Sequence, residues 1–428
     1  MGNALDRFAW FAGVVVAGTL DENAVREGFT PGFLTSVPVA RLVDIATTLK
    51  STFASEPVQR EEDGDAFTVR FTDWVITGAV ESDAPHRFAG IMIRPVPLPL
   101  ADARLAHAPF VAEGDAPLPA LKDAFRDYGL IGVVAGGFTN DGADQTWRAA
   151  GGYADLEGTV ECTPSTRMLA GSIVKLLTAT AALTLVADGR VDLDAPANTY
   201  LRSLRVESDA VTVRHLLTHT SGVSSDFNHF VAVVPPVTEI LGESVAVDFE
   251  PGSQFVYSNG GYTVLGEVIA GVTGAPVIDA LTEIVVAPLG MTDSTFALAW
   301  PDDVGPGYTA EDGLPVELPR TVPSVPAAGG LVTTTRDLAR FVAGWRSLLP
   351  GELALAAVTP QFTRPDGGAI GFGWIVSDDF FGHAGGTLTY TSSLAWRRRD
   401  GAVNVLLTNR SVQADDVNLR LLSEPSEA

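Results

Sequence analysis

The chain has a single cysteine, Cys162, in 428 residues. One cysteine cannot form an intrachain disulfide, and it cannot build the multi-cysteine sites that hold structural zinc. The fold therefore depends on a buried apolar core. Apolar residues make up 46% of the sequence and charged residues 19%, which is ordinary for a globular enzyme.

Basic residues are also scarce. The 28 lysines and arginines stand against 52 aspartates and glutamates, for a formal net charge of -24. A surface of this sign repels phosphate backbones and anionic lipid headgroups, so we expect no nucleic-acid partner and no membrane partner. Solubility is the simplest role for the charge.

No apolar run near the N-terminus is long enough to span a bilayer. The stretch from Phe8 to Leu20 is short, and Gly13 and Gly18 interrupt it. Asp6 stands beside Arg7, so the basic region typical of a secretory signal is weak. We therefore predict a buried helix here and a cytoplasmic protein; the alternative is a secreted protein from which a signal peptide has been removed.

A chain of this length exceeds what one core comfortably organises, so we expect two domains. Residues 1–112 have helical patterns up to Leu49 and then alternating strand patterns, which predict a small α+β accessory domain. The proline-rich stretch from Pro95 to Pro119 is typical of a linker. Residues 113–428 contain all the motifs described below.

Ser172 and Lys175 stand three residues apart at the start of a nearly all-apolar run, Ala170 to Val186. This run predicts a buried helix, on which the hydroxyl and the amine share one face. Serine is a poor nucleophile until a base takes its proton, and burial at a helix N-terminus lowers the pKa of a lysine. The Ser172 amide N–H is a candidate oxyanion donor.

A second motif, Tyr257-Ser258-Asn259, precedes an amphipathic run. A phenol beside the lysine could relay a proton between Ser172 and a leaving group. The Asn259 amide could hold both the amine and a substrate carbonyl. The alternative interpretation is that Ser258 or Asn259 simply caps a helix.

The third motif, His383-Ala384-Gly385-Gly386, comes just before a predicted strand from Leu388 to Trp396. Glycine lets a ligand approach the backbone closely. Gly385 and Gly386 are therefore candidates for the substrate-binding edge, with the Gly386 N–H as a second oxyanion donor.

In their order, Ser-x-x-Lys, Tyr-x-Asn and His-x-Gly resemble the motifs of class C serine β-lactamases and their relatives: esterases, D-aminopeptidases, D-Ala-D-Ala carboxypeptidases and penicillin-binding-protein-type thioesterases. The stretches 214–222 (RHLLTHTSG) and 259–262 (NGGY) extend the resemblance. It implies an α+β fold, in which an antiparallel sheet is flanked by helices, and a helical subdomain carries Tyr257. The active site then lies between the sheet and the subdomain.

The resemblance also implies roles and a substrate class. Ser172 attacks a carbonyl, Lys175 and Tyr257 shuttle the proton, and Asn259 orients the acyl group, so that an acyl-enzyme forms without a cofactor. In β-lactamases and carboxypeptidases the third motif usually starts with a lysine that helps to bind the substrate carboxylate. His383 in its place favours small esters or amides, and we predict a serine esterase or acyl hydrolase.

Two alternatives stay open. The first is a β-lactamase, D-Ala-D-Ala carboxypeptidase or D-aminopeptidase, which acts on lactams or peptides. The second is a penicillin-type binding module that is acylated or occupied without turnover. The sequence leaves the acyl group, the acceptor and the oligomeric state open.

Two weaker patterns remain. His215 and His219, four residues apart, lack the intervening glutamate of a zinc-hydrolase helix, so we expect no metal site. Residues 29–34 (FTPGFL) and 86–90 (HRFAG) are similar to the steroid-isomerase-like (NTF2-like) domain that precedes the lactamase-like domain in a protein of clavulanic-acid gene clusters. We expect no isomerase activity from this similarity.

Overall fold

The computed structural model describes residues 4–30, 33–34, 39, 42–43, 50–71, 74–82, 85–95, 100–139, 144–224, 229–311, 313–364 and 368–423. The chain divides into two compact units, Met1–Leu98 and Pro99–Ala428. This division falls earlier than the predicted one between 112 and 113, because a strand at Phe110–Gly114 crosses that point and pairs within the second unit. Residues 96–99 of the predicted linker and 31–32 of the isomerase-like stretch lie outside the described residues.

The first unit combines helices with an antiparallel four-stranded sheet in the order β1-β2-β3-β4. The predicted N-terminal helix buries Phe8, Phe11 and Val15, which recur at helical spacing along one face. Phe8 packs on Phe67 and Phe11 on Phe88, with ring centroids 5.3 and 5.8 Å apart. The elements are α1 (Ala4–Ala17), α2 (Glu22–Gly28), α3 (Lys50–Phe53), β1 (Gln59–Asp63), β2 (Ala66–Arg70), β3 (Trp74–Val80) and β4 (Phe88–Pro95).

A ten-stranded sheet, antiparallel throughout, forms the middle of the second unit. Its order is β18-β19-β20-β21-β22-β23-β6-β7-β5, with β8 paired to β7. Its strands are β5 (Phe110–Gly114), β6 (Gly132–Thr139), β7 (Asp144–Asp155), β8 (Val160–Glu161), β18 (Phe362–Thr363), β19 (Ala369–Ile370), β20 (Ile375–Val376), β21 (Phe380–Gly386), β22 (Thr391–Arg397) and β23 (Val403–Thr408).

Shorter strands form small ladders outside this sheet. They are β9 (Met168–Leu169), β10 (Arg205–Val206), β11 (Phe230–Val231), β12 (Ser244–Val245), β13 (Thr295–Phe296), β14 (Tyr308–Glu311), β15 (Leu314–Glu317), β16 (Val322–Pro323) and β17 (Leu331–Thr333).

The helices of the second unit complete the α+β architecture that the resemblance implies. They are α4 (Ala103–Ala106), α5 (Leu118–Asp127), α6 (Val174–Ala187), α7 (Val213–Leu217), α8 (Val237–Leu241), α9 (Asn259–Thr273), α10 (Val277–Leu281), α11 (Pro326–Gly329), α12 (Thr335–Gly344), α13 (Gly351–Ala357) and α14 (Ala414–Ser423). Turns of 3₁₀-helix lie at Gly171–Ile173, Ala197–Thr199 and Trp345–Leu348, and a π-helical turn lies at Thr282–Val286.

Helix α6 runs through the main core of this unit, as its sequence predicts. All its residues from Val174 to Leu183 are buried, because apolar side chains occur on every side of the helix. It ends at Ala187, and Gly189 follows with a φ of +67°, a conformation in which glycine carries no steric penalty. The one cationic side chain in the helix, Lys175, is therefore held inside the core.

The strand predicted from Leu388 to Trp396 is displaced in the structure. The segment is a β-hairpin, in which β21 carries His383, Gly385 and Gly386, and β22 begins only at Thr391. The third motif thus lies within a strand rather than before one.

None of the described helices is by itself both long and apolar enough to cross a bilayer. The bent pair Asn259–Thr273 and Val277–Val286, with an angle of 82° between its arms, reaches that length and composition only when both arms are counted.

Candidate active site

The backbone before α6 presents Ser172 at a sharp turn. Gly171 adopts a φ of +51°, which strains any residue with a side chain. The turn is fixed on both sides, because Ala170 N–H donates to Leu331 O at 2.8 Å and Ala170 O accepts from Ser392 Oγ at 2.7 Å. Ser172 itself is partly exposed, although its two neighbours in the chain are buried.

Lys175 lies one helical turn further on and is fully buried, with 0% of its surface exposed. Its Nζ is 3.0 Å from Ser172 Oγ, 2.8 Å from Asn259 Oδ1 and 2.6 Å from Ala328 O. Burial lowers the pKa of this amine well below its usual 10.5, because the ammonium form loses its hydration. The structure therefore brings the hydroxyl and the amine together.

The second motif stands at the N-terminus of α9. Ser258 caps this helix by accepting from Gly261 N–H at 2.7 Å, as the capping interpretation predicts. The same cap places Asn259 against Lys175, so the two interpretations of the motif are compatible. Tyr257 is hydrogen-bonded to Ser172, and its ring centroid is 4.9 Å from Lys175 Nζ. Burial raises the pKa of Tyr257, and the bond from Ser172 offsets this only in part.

The third motif touches the Ser172 turn through its backbone. A β-carbon on Gly385 would lie 2.0 Å from Ala170 O, and one on Gly171 would lie 2.6 Å from Gly386 N. Only glycine permits this approach. Gly386 is exposed, and a β-carbon there would meet no atom within 4 Å, so the space on that side of the residue is open.

His383 lies in the same strand, with 4% of its surface exposed. Its ring centroid is 6.0 Å from that of Tyr257. Nδ1 is hydrogen-bonded to Ala384 O, which assigns the proton to Nδ1, and Nε2 has no partner among the described residues. Burial is the main cause that lowers the pKa of His383 to about 3. The imidazole is therefore neutral at physiological pH.

Three groups at the site were not predicted from the sequence. They are the His219 ring, stacked 4.4 Å from Tyr257, the Tyr262 ring, 4.8 Å from His219, and the Ala328 carbonyl. His219 and Tyr262 lie in the two stretches that extend the family resemblance. The sequence therefore marks both residues as family features but does not indicate what either one does. A backbone carbonyl has no side-chain signal at all.

His215 and His219 each accept a hydrogen bond from a different backbone N–H group. His215 Nδ1 accepts from Thr212 N–H at 3.2 Å, and His219 Nδ1 accepts from Ser258 N–H at 3.0 Å. Across the part of the chain that the structure describes, His, Cys, Asp and Glu side chains form no group of three that could hold a metal ion.

The arrangement of Ser172, Lys175 and Tyr257 is suited to acyl transfer. A hydroxyl lies between an amine whose neutral form is favoured by burial and a phenol that burial keeps protonated. The backbone of Gly386 lies close to the turn that carries Ser172, because a β-carbon on Gly171 would stand 2.6 Å from Gly386 N.

Comparison with known proteins agrees with this chemistry. Residues 115–424 match the Beta-lactamase family. Esterase EstB of Burkholderia gladioli is 31% identical over 328 residues, which cover 64% of this chain and 82% of EstB. A D-stereospecific amidohydrolase from Streptomyces sp. has a TM-score of 0.58 at 27% identity, covering 71% of this chain and 96% of that one.

A further structure shares the fold. The octameric penicillin-binding protein homologue from Pyrococcus abyssi has a TM-score of 0.62 at 24% identity and covers 72% of this chain and 77% of its own. The predicted resemblance to the β-lactamase-like family and the predicted α+β fold class are thus confirmed. The similarity of residues 29–34 and 86–90 to a steroid-isomerase-like domain stays a prediction. The family match covers well over half of the sequence, and the matched residues include Ser172, Lys175 and Tyr257. This chain therefore belongs to the Beta-lactamase family and is a serine acyl hydrolase.

Proposed function

We propose that the chain is an esterase that hydrolyses small, uncharged esters through an acyl-enzyme on Ser172. The observation that carries the proposal is the surroundings of Lys175 Nζ, which are one hydroxyl and two carbonyl oxygens. A neutral amine has one lone pair and two N–H bonds, which match this set. None of the three partners is a carboxylate that would favour the ammonium form.

The proton path follows from these contacts. Ser172 Oγ attacks the ester carbonyl while its proton passes to Lys175 Nζ, and the N–H groups of Ser172 and Gly386 stabilise the oxyanion. Tyr257 gives its hydroxyl proton to the departing alkoxide. The proton that Lys175 took up then passes to Tyr257 by way of the seryl oxygen, and the phenol is restored. Water reverses the sequence to release the acid and free Ser172.

The preference for uncharged substrates rests on His383. A neutral imidazole cannot form the charge-assisted bond by which a lysine at this place holds a substrate carboxylate. The likeness to EstB, which covers 82% of that esterase, supports an ester as the substrate. A small-molecule substrate is accordingly the partner we propose.

A second candidate is the hydrolysis of D-amino-acid amides. The D-stereospecific amidohydrolase supports it, because its chain is covered almost completely by this one. An amide has a poorer leaving group than an ester, so this activity depends more strongly on the protonated Tyr257.

Turnover of p-nitrophenyl butyrate tests the proposal. Ser172→Ala should lower kcat/KM by about 10³-fold or more, because nucleophile and base act as a unit. Ser347→Ala is the matched control, since that serine is exposed and its Oγ donates to Gly344 O. Turnover that survives in Ser172→Ala would rule the proposal out.

A substrate panel separates the alternatives. Hydrolysis of D-alanine p-nitroanilide faster than of the ester would select the amidase, and rapid nitrocefin hydrolysis would select the β-lactamase. A stable acyl mass on Ser172 with no second turnover on any of these substrates would select the binding module.

A further inference from the structure

His219 lies against the proposed proton relay, although no step of the mechanism above uses it. Its ring and that of Tyr257 are stacked, with centroids 4.4 Å apart and planes 26° apart. The Tyr262 ring lies 4.8 Å away at 32°. The imidazole is 1% exposed. One face of the Tyr257 phenol is therefore covered by an aromatic wall.

Hydrogen bonding fixes both the orientation and the charge of this ring. Ser258 N–H donates to Nδ1 at 3.0 Å, so Nδ1 is an acceptor and the proton of the neutral ring is on Nε2. Ser258 is the residue that follows Tyr257 in the chain. The imidazole thus holds the backbone beside Tyr257 through its edge and the side chain of Tyr257 through its face.

Histidine is an unfavourable choice at this position for local stability alone. His219 has a φ of +56°, which is uncommon for any residue with a side chain. Its Nε2 is buried without a hydrogen-bond partner among the described residues. Unfavourable backbone angles and unpaired buried donors cluster at functional sites.

Asparagine could serve the same backbone contact. Its Oδ1 could accept from Ser258 N–H, and asparagine, like histidine, adopts positive φ more often than most residues. The bond to Ser258 therefore does not explain the aromatic ring, whereas the stack on Tyr257 does.

We propose that His219 is a positioning residue for Tyr257. The neutral imidazole accepts a hydrogen bond from Ser258 N–H and packs flat on the phenol ring, which keeps the phenol hydroxyl hydrogen-bonded to Ser172. It acts through Tyr257 and does not touch the reacting atoms. The inference rests on the proposed function, because it requires that Tyr257 hands on a proton during turnover of an ester.

Two substitutions in the full-length chain separate the ring from its hydrogen bond. His219→Asn keeps an acceptor for Ser258 and loses the stack, whereas His219→Phe keeps the stack and loses the acceptor. For p-nitrophenyl butyrate we expect His219→Asn to lower kcat by about 10- to 100-fold with KM almost unchanged, the size of effect that a small misplacement causes. His219→Phe should have the higher kcat per folded molecule but the lower Tm. If His219 had a purely structural role, His219→Asn would have both the higher kcat and the higher Tm of the two variants.

A double-mutant cycle tests whether the effect passes through Tyr257. In a Tyr257→Phe background, His219→Asn should change the single-turnover acylation rate by less than about twofold, because the hydroxyl to be positioned is gone. His215→Asn is the matched control, since His215 also accepts a backbone N–H through Nδ1 but has no phenol stacked on it among the described contacts. We expect it to keep the wild-type kcat.

Three results would overturn the proposal: a wild-type kcat in His219→Asn, a change confined to KM, or an equal loss in the Tyr257→Phe background. If His219→Phe does not fold, the asparagine variant and the cycle still decide. Failure of the esterase proposal is seen separately, as turnover that persists in Ser172→Ala.

Discussion

Gly171 and Gly386 are in backbone contact: a β-carbon on Gly171 would lie 2.6 Å from Gly386 N. The first glycine precedes the Ser172 nucleophile, and the second carries the proposed oxyanion N–H. The distance between nucleophile and oxyanion donor is therefore set by the packing of strand β21 on the start of helix α6.

Gly171→Ala should damage activity more than stability. The added methyl group would overlap the backbone of Gly386, where no flexible side chain can turn away to make room. The backbone itself must therefore shift, and the oxyanion donor shifts with it. Loss of one such donor lowers kcat by about 10²- to 10³-fold. The measurement is kcat for p-nitrophenyl butyrate together with Tm.

Gly189→Ala is the control for this substitution. Gly189 has a φ of +67°, similar in strain to the +51° of Gly171, but a β-carbon there meets no atom within 4 Å. We expect a loss of stability of about 1–2 kcal/mol and an unchanged kcat. Equal kcat in the two alanine variants would contradict the backbone-contact argument.

Lys175→Met tests the charge state of the buried amine through stability. In the folded chain burial favours the neutral amine, whereas an unfolded lysine keeps its proton up to its usual pKa of 10.5. The unfolded state binds more protons between the lowered pKa and 10.5, so wild-type stability rises with pH in that window, by about 1.4 kcal/mol per pH unit from this residue. Methionine has no such proton.

Urea unfolding of both proteins at about pH 8 and about pH 10 measures this difference. The free energy of unfolding of Lys175→Met relative to wild type should fall as the pH rises. Parallel pH profiles would mean that the amine stays charged in the fold and could not act as a base. Turnover of the variant should be lost at every pH.

The sequence predicts the chemistry better than it predicts the packing around it. Ser172 and Lys175 are linked by helical spacing, which is a local property. His219 and Tyr257 are 38 residues apart, so their stack depends on how α7 meets α9, and no periodicity reports that.

Two errors of position have identifiable physical causes. Gly385 and Gly386 looked like the residues before a strand, but both lie in β21, where Gly385 is required because Ala170 O approaches it from the neighbouring turn. The strand at Phe110–Gly114 is short and lies in a segment rich in proline and alanine, whose composition resembles a linker. In both places a contact with a distant segment decides the local structure.

His383→Asn should reduce the acid sensitivity of the fold. The pKa of His383 is lowered to about 3 from 6.5, chiefly by burial. Between these values the unfolded chain binds the proton and the folded chain does not, so this residue destabilises the wild type as the pH falls from 6.5 towards 3. The wild type should lose about 1.4 kcal/mol per pH unit more than the variant in that window.

The check is urea unfolding of both proteins between about pH 4 and pH 7, where the carboxylates contribute equally to each. The same substitution at the exposed His229 serves as the control. A constant difference between wild type and His383→Asn across the window would show that the imidazole titrates normally in the fold.

His383→Lys tests whether this position sets the charge of the preferred substrate. An ammonium in place of the imidazole can bond to a substrate carboxylate, and hydrogen bonds to charged groups contribute about 1.5–3 kcal/mol. We expect the ratio of kcat/KM for nitrocefin, which carries a carboxylate, to that for p-nitrophenyl butyrate to rise by about 10- to 100-fold. His383→Gln, which stays neutral, should leave the ratio near its wild-type value. An equal rise in both variants would instead point to the removal of a steric block, and no rise in a lysine variant with wild-type Tm would place substrate-charge selection elsewhere in the site.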